Sequence, residues 1–226
     1  MANTPKLDRY RQAAPQLYEL LRDKIVSLEF LPGTALSRVE ISAQFDVSQT
    51  PVREALLKLA EERLVDVFPQ AATRVSLIDT GIAEETHFLR RAIELELVRE
   101  LALRGTAELS AQLKELVARQ IWLRDQQDYG GFVLADQEFH RRMYNALGKD
   151  DLWKLVCSRS GHIDRLRRLH LPTGDKMTRI VSDHSRILEA IAGRDPAAAQ
   201  ESLREHLSGT LDSMARIRAE HPQYFT

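Results

Sequence analysis

Residues 47–64 read VSQTPVREALLKLAEERL. Val52, Leu56, Leu59 and Ala60 recur at helical spacing, so the stretch predicts a helix from about Thr50 to Arg63 with one buried stripe. Pro51 falls in the first turn, where no backbone hydrogen bond is lost. Ser48, Gln49, Thr50 and Arg53 crowd the front of this helix, away from its apolar stripe. Core packing gives no reason for them there, so the front turn calls for a partner.

Upstream, Leu17, Leu20, Leu21, Ile25 and Leu28 mark a first helix, which Leu31-Pro32-Gly33 ends. Ser37-Arg38-Val39-Glu40 is a capping box, with a serine that accepts from the helix and a glutamate that reaches back. It opens a short second helix through Phe45, and Asp46-Val47-Ser48 turns into the third. Downstream, Val65 and Val67, then Val75 and Leu77, alternate with polar residues as in a half-buried hairpin. Pro69-Gln70-Ala71-Ala72 lies between the two runs. Three helices and a hairpin over residues 15–78 predict a winged helix-turn-helix, preceded by a flexible arm at 1–14.

After Asp79 no strand pattern appears. Breaks at 105–106, 129–131, 148–149, 172–174 and 193–196 divide the rest into an all-α antiparallel bundle of six to seven helices over 79–226. The chain is therefore expected to be mostly α, with two domains.

The composition excludes several classes. Among 226 residues there is one cysteine, so no internal disulfide can form. No run approaches the ~20 apolar residues of a membrane span, and the polar N-terminus lacks a signal-peptide core. A cytoplasmic protein is expected. Net charge is −1, and residues 1–79 carry 10 Lys/Arg against 11 Asp/Glu, so bulk charge does not announce nucleic acid.

Local placement does. The second helix of such a motif enters the major groove of double-stranded DNA front end first. Arg53 is then placed for a bidentate contact to guanine, worth roughly 1–3 kcal/mol of discrimination. Ser48 and Thr50 reach phosphates, Arg38 the backbone or groove edge, and Arg74 lies on the wing. A lone arginine is more often a solvated surface residue, but here the capping box and hairpin accompany it.

VSQTPVREALLKL resembles the signature of the GntR family of bacterial transcription regulators, whose usual form reads V-S-R-T-P-V-R-E-A-L. The helical remainder resembles the family's FadR-type branch, with its ligand-sensing FCD domain. Two departures stand out: Gln49 replaces an arginine, and Ala71-Ala72 replace an Arg-Gly pair common in the wing. Glutamine pairs with adenine where arginine favours guanine, so a changed operator is expected.

Asp136 and His140 are spaced i, i+4 and share a helix face. His184 and His206 each lie 11 residues from the turn near Asp195. In an antiparallel hairpin that puts them at one height, about 16 Å from the loop at ~1.5 Å per residue. One carboxylate and three imidazoles suit a divalent transition metal, with Zn, Ni, Fe and Mn all compatible. The resemblance implies such a metal on an Asp and three His. It also implies a small organic-acid effector, a homodimer on a pseudo-palindromic operator, and an arginine at the place of Arg90 to hold the effector. For Arg90 the plainer alternative is an ion pair with Glu94, one turn on. His87, His162, His170 and His221 are expected as surface or hydrogen-bonded residues, and Arg159, Arg165, Arg167 and Arg168 as a solvated or interface face. A metalloenzyme would need a general base or nucleophile beyond the ligands, and none stands out.

Overall fold

The computed structural model describes residues 6–68 and 73–226. Two compact units emerge, one of Met1–Thr80 with Arg218–Thr226 and one of Gly81–Ile217.

The first unit contains α1 (Ala13–Val26), β1 (Ala35–Leu36), α2 (Arg38–Phe45), α3 (Gln49–Glu61), β2 (Val65–Asp66) and β3 (Thr73–Val75). Leu17, Leu21 and Ile25 of α1 bury against Val52, Leu56 and Leu59 of α3, with Phe45 and Leu64 closing the cluster. Ser37 caps α2 by accepting from the Glu40 amide. Asp46 ends α2 in the left-handed region, at φ 53°, and Val47 N–H donates to the Ser42 carbonyl. This tight reversal leads into α3, which packs on α2.

The sheet order is β1-β3-β2, antiparallel throughout, with Ala35 opposite Arg74 and Val65 opposite Val75. The expected hairpin thus has a third strand. Two residues, Ala35-Leu36, are too few to show an alternating pattern. The expected turn at Pro69–Ala72, including Ala71-Ala72, lies outside the described residues, as do residues 1–5 of the expected arm. Residues 8–12 are not loose. The buried Gln16 side chain accepts from Asp8 N–H and donates to the carbonyls of Asp8, Arg11 and Gln12.

The second unit is helical: α4 (Thr80–Arg104), α5 (Ala107–Asp125), α6 (Tyr129–Ala146), α7 (Asp150–Arg159), α8 (Gly161–His170), α9 (Lys176–Ala192) and α10 (Pro196–Ser208), followed by α11 (Met214–Glu220). Pairs α9–α10, α5–α6 and α5–α9 pack along their lengths. Leu113, Phe132, Phe139, Met143, Ile187 and Leu203 form the centre of the core. The break expected at 193–196 is present, where the Asp195 carboxylate accepts from Ala198 N–H and proline takes the first helical position. The break expected at 129–131 lies slightly earlier. Asp128 accepts from Gly131 N–H, and a Cβ at 131 would collide with that carboxylate. Gly130 and Gly131 therefore begin α6 rather than interrupt the chain.

The last residues differ from expectation. Residues 218–226, placed by sequence in the second domain, belong to the first unit. Ile78 N–H donates to the Tyr224 carbonyl at 2.7 Å, and Thr226 N–H donates to the Ile78 carbonyl at 3.2 Å. Ile78 and Phe225 are both buried at this parallel bridge. No described helix is long and apolar enough to cross a membrane.

Candidate functional site

In the first unit, Ser48, Gln49, Thr50 and Arg53 are all exposed at the front of α3, as is Arg38 at the start of α2. Ser48 occupies the N-cap position of α3, yet its side chain does not cap the helix. No ion pair holds Arg38 or Arg53 among the described residues. Arg74 is exposed on β3 and donates to the Gly33 carbonyl at 3.1 Å. Gly33 has a φ of +85°, a backbone that favours glycine. The apolar stripe of α3 is buried while its front turn faces outward.

In the second unit, α6 brings Asp136 and His140 together, α9 brings His184 and α10 brings His206. One ligand atom from each lies within 4.8 Å of all the others. His140 Nε2 and His206 Nε2 are 3.1 Å apart, His184 Nε2 and His206 Nε2 are 3.3 Å apart, and His184 Nε2 is 3.6 Å from Asp136 Oδ1. Phe139 stacks on the His184 ring at 3.9 Å between centroids, which fixes its plane.

Each imidazole has a partner behind it. His140 Nδ1 is 2.9 Å from Glu94 Oε2, His184 Nδ1 is 2.8 Å from Gln120 Oε1, and His206 Nδ1 is 3.6 Å from Asp183 Oδ2. The oxygens behind the three rings favour the Nδ1–H tautomer, which turns the Nε2 lone pairs toward one another. Three lone pairs and a carboxylate facing inward repel unless a cation lies between them. The residues present therefore fit a divalent transition metal, which Asp136, His140, His184 and His206 would hold.

The electrostatics agree. Burial opposes the charge on Glu94, but Arg90 and His140 outweigh it and hold its carboxyl well below the usual range. Asp136 is likewise held low against burial, by His140, His206, Arg167 and Arg90. Burial, and then Arg90, pushes His140 down to about 4 against the pull of Glu94. Burial, then the neighbouring His206 and His140, pushes His184 well below its usual value. Burial thus favours neutral His140 and His184, and a metal binds imidazole in its neutral form.

Arg90, expected to hold an effector, donates through Nε to Glu94 Oε1 at 2.6 Å, and the pair is sealed from solvent. The sequence alternative for Arg90 is thus present. Of the histidines expected on the surface or in hydrogen bonds, His87, His162 and His170 are buried, and His162 is of the hydrogen-bonded kind. The arginine cluster divides, since Arg159 is exposed but Arg165 is fully buried and lies 3.2 Å from His162 Nδ1. Sequence reasoning missed Glu94, Gln120 and Asp183. They stand on three different helices, and no spacing rule links a ligand to a partner 46, 64 or 23 residues away.

Comparison with known proteins adds a family. Residues 13–75 match the bacterial regulatory proteins of the gntR family, and residues 85–209 match the FCD domain. A regulator of Streptomyces ambofaciens, named for an unstable DNA locus and described as an HTH-type transcriptional regulator, is 35% identical over 92% of this chain and 88% of its own length. The HTH-type transcriptional repressor RspR of Escherichia coli is 29% identical over 93% of this chain and 92% of its own. Among solved structures, a transcriptional regulator from Rhodococcus sp. RHA1 aligns with a TM-score of 0.73 at 26% identity, covering 91% of this chain and 97% of the other.

Proposed function

The chain belongs to the gntR family of bacterial regulatory proteins and carries an FCD domain, and from that premise we propose that a small organic acid, bound beside a divalent metal in the helical unit, sets its affinity for an operator. It is a transcription regulator and not an enzyme, as its relatives are.

The observation that carries the reading is the convergence of three Nε2 atoms and one carboxylate in the bundle. Four protein ligands leave one or two positions open in a five- or six-coordinate shell, and a carboxylate fits them. Burying such polar groups is costly without a bound partner. At the other end, Ser48, Gln49, Thr50 and Arg53 are the residues that would read base edges and phosphates, with Arg38 and Arg74 beside them. A homodimer in the cytoplasm would present two such helices to a pseudo-palindromic site. Effector and operator then influence each other by one reciprocal factor.

The test has two stages. Duplexes are first selected from a random pool by the full-length protein. Zinc-loaded protein is then titrated with acetate, malonate and succinate by calorimetry, alone and with the selected duplex. Saturable heat that disappears in the His184→Ala/His206→Ala variant is expected, with an affinity that the duplex alters. A pool that yields no preferred sequence, or heats unchanged by loss of the histidines, would remove the reading.

A further inference from the structure

Glu94 links Arg90 to the histidine cluster. It is fully buried on α4 and has three neighbours: Arg90 Nε at 2.6 Å, Tyr144 Oη at 3.3 Å and His140 Nδ1 at 2.9 Å. Tyr144 is itself fully buried, with its ring against Trp153. Arg90 and Tyr144 both donate to Oε1, which leaves Oε2 facing the imidazole.

We propose that Glu94 is a positioning residue of the metal centre, holding His140 in its Nδ1–H tautomer so that Nε2 presents its lone pair to Asp136, His184 and His206. The inference rests on the metal reading above and deepens it. Gln120 performs the same task for His184 with a neutral amide, and Asp183 faces His206 at a longer 3.6 Å. Glu94 differs from both. It brings a carboxylate to a site closed to water, and although Arg90 pairs with Oε1, the Oε2 side faces His140 and makes it a stronger donor. Both carboxylates pair with an arginine, but Arg90 is buried with Glu94 whereas the Arg186 side chain beside Asp183 is half exposed. Arg90 takes on a defined task as well. It fixes the Glu94 carboxylate and is a positioning residue one step further out.

The consequence is a chain of contacts from Arg90 through Glu94 and His140 to the metal. Any anion that drew Arg90 away from Glu94 would loosen the carboxylate behind His140.

The test measures zinc affinity by competition with a chromophoric chelator, for wild type and for Glu94→Gln. Glutamine keeps an acceptor for Nδ1–H but has no charge, and zinc affinity is expected to fall about 10- to 100-fold. A long-range ¹⁵N–¹H spectrum of the zinc-loaded wild type reports the His140 tautomer directly and needs no variant. Nδ1–H is expected. If wild type binds zinc and Glu94→Gln binds it equally well, or if His140 carries its proton on Nε2, Glu94 has no such role. Wild type that takes up no zinc would instead overturn the metal reading, and Glu94's role with it.

Discussion

His184 Nε2 lies 3.3 Å from His206 Nε2, on separate helices and 22 residues apart in the chain. Equal distances from the Asp195 turn put them at one level, and α6 supplies Asp136 and His140 opposite. Removing both histidines should abolish metal uptake, as read by elemental analysis of purified protein. Wild type should also melt at a lower temperature after chelation, because a ligand at 100 times its Kd stabilises the native state by roughly 2.7 kcal/mol. The double variant should show no such response.

Arg53 should carry base discrimination. Its loss in Arg53→Ala should weaken binding to a selected operator by roughly 1–3 kcal/mol, which is about 5- to 150-fold in Kd. Fluorescence anisotropy with operator and scrambled duplexes separates this from a general loss of phosphate contacts. Equal weakening on both duplexes would place Arg53 on the backbone.

Gln49 is where the family pattern has arginine. Gln49→Arg should move the preferred base at one operator position from adenine toward guanine. Selections from the same random pool with both proteins check this, and identical selected sequences would show that position 49 is not read.

Phe225 closes the C-terminal bridge over Ile78. Phe225→Ala should destabilise the protein by roughly 3–5 kcal/mol, the usual range for a buried phenylalanine. Urea unfolding followed by circular dichroism measures it. A change below about 1 kcal/mol would mean that the bridge is held by its backbone hydrogen bonds alone.

Acid should destabilise the metal-free protein. Burial, then Lys176, Arg216 and Arg179, pushes His170 down to about 4, and burial, then Arg167, lowers His87. In the unfolded chain both histidines titrate near 6.5. Between these values the unfolded state binds more protons, so stability falls as pH drops from about 6.5 toward 4 and is flat above. Urea midpoints at about pH 7.5 and 5 test this, and His170→Gln should show a smaller drop.

Much of this molecule can be read from its residues in order. The stripe of Val52, Leu56 and Leu59, the Ser37 cap and the Asp195-Pro196 stop are local signals, and local physics places them. Asp136 and His140 are legible for the same reason, since four residues on a helix make one face. The hairpin symmetry carries that logic across one turn to His184 and His206. What sequence does not show depends on packing between helices distant in the chain. Glu94 meets His140 only because α4 lies against α6. The break at Ser160 stands at a Ser-Gly pair, a local signal that the helical pattern on either side outweighed. The clasp of Ile78 by Tyr224 and Thr226 joins segments almost 150 residues apart. None of these leaves a periodic trace.

The central claim is that the buried cluster governs DNA binding through what it holds. The most direct measurement is operator affinity by anisotropy, comparing zinc-loaded protein with protein stripped of metal and with His184→Ala/His206→Ala. The account predicts that zinc-loaded and stripped wild type differ by about 5-fold or more, the usual size of coupling between two sites, and that the variant ignores zinc. Equal affinities, with zinc shown to be bound, would contradict it.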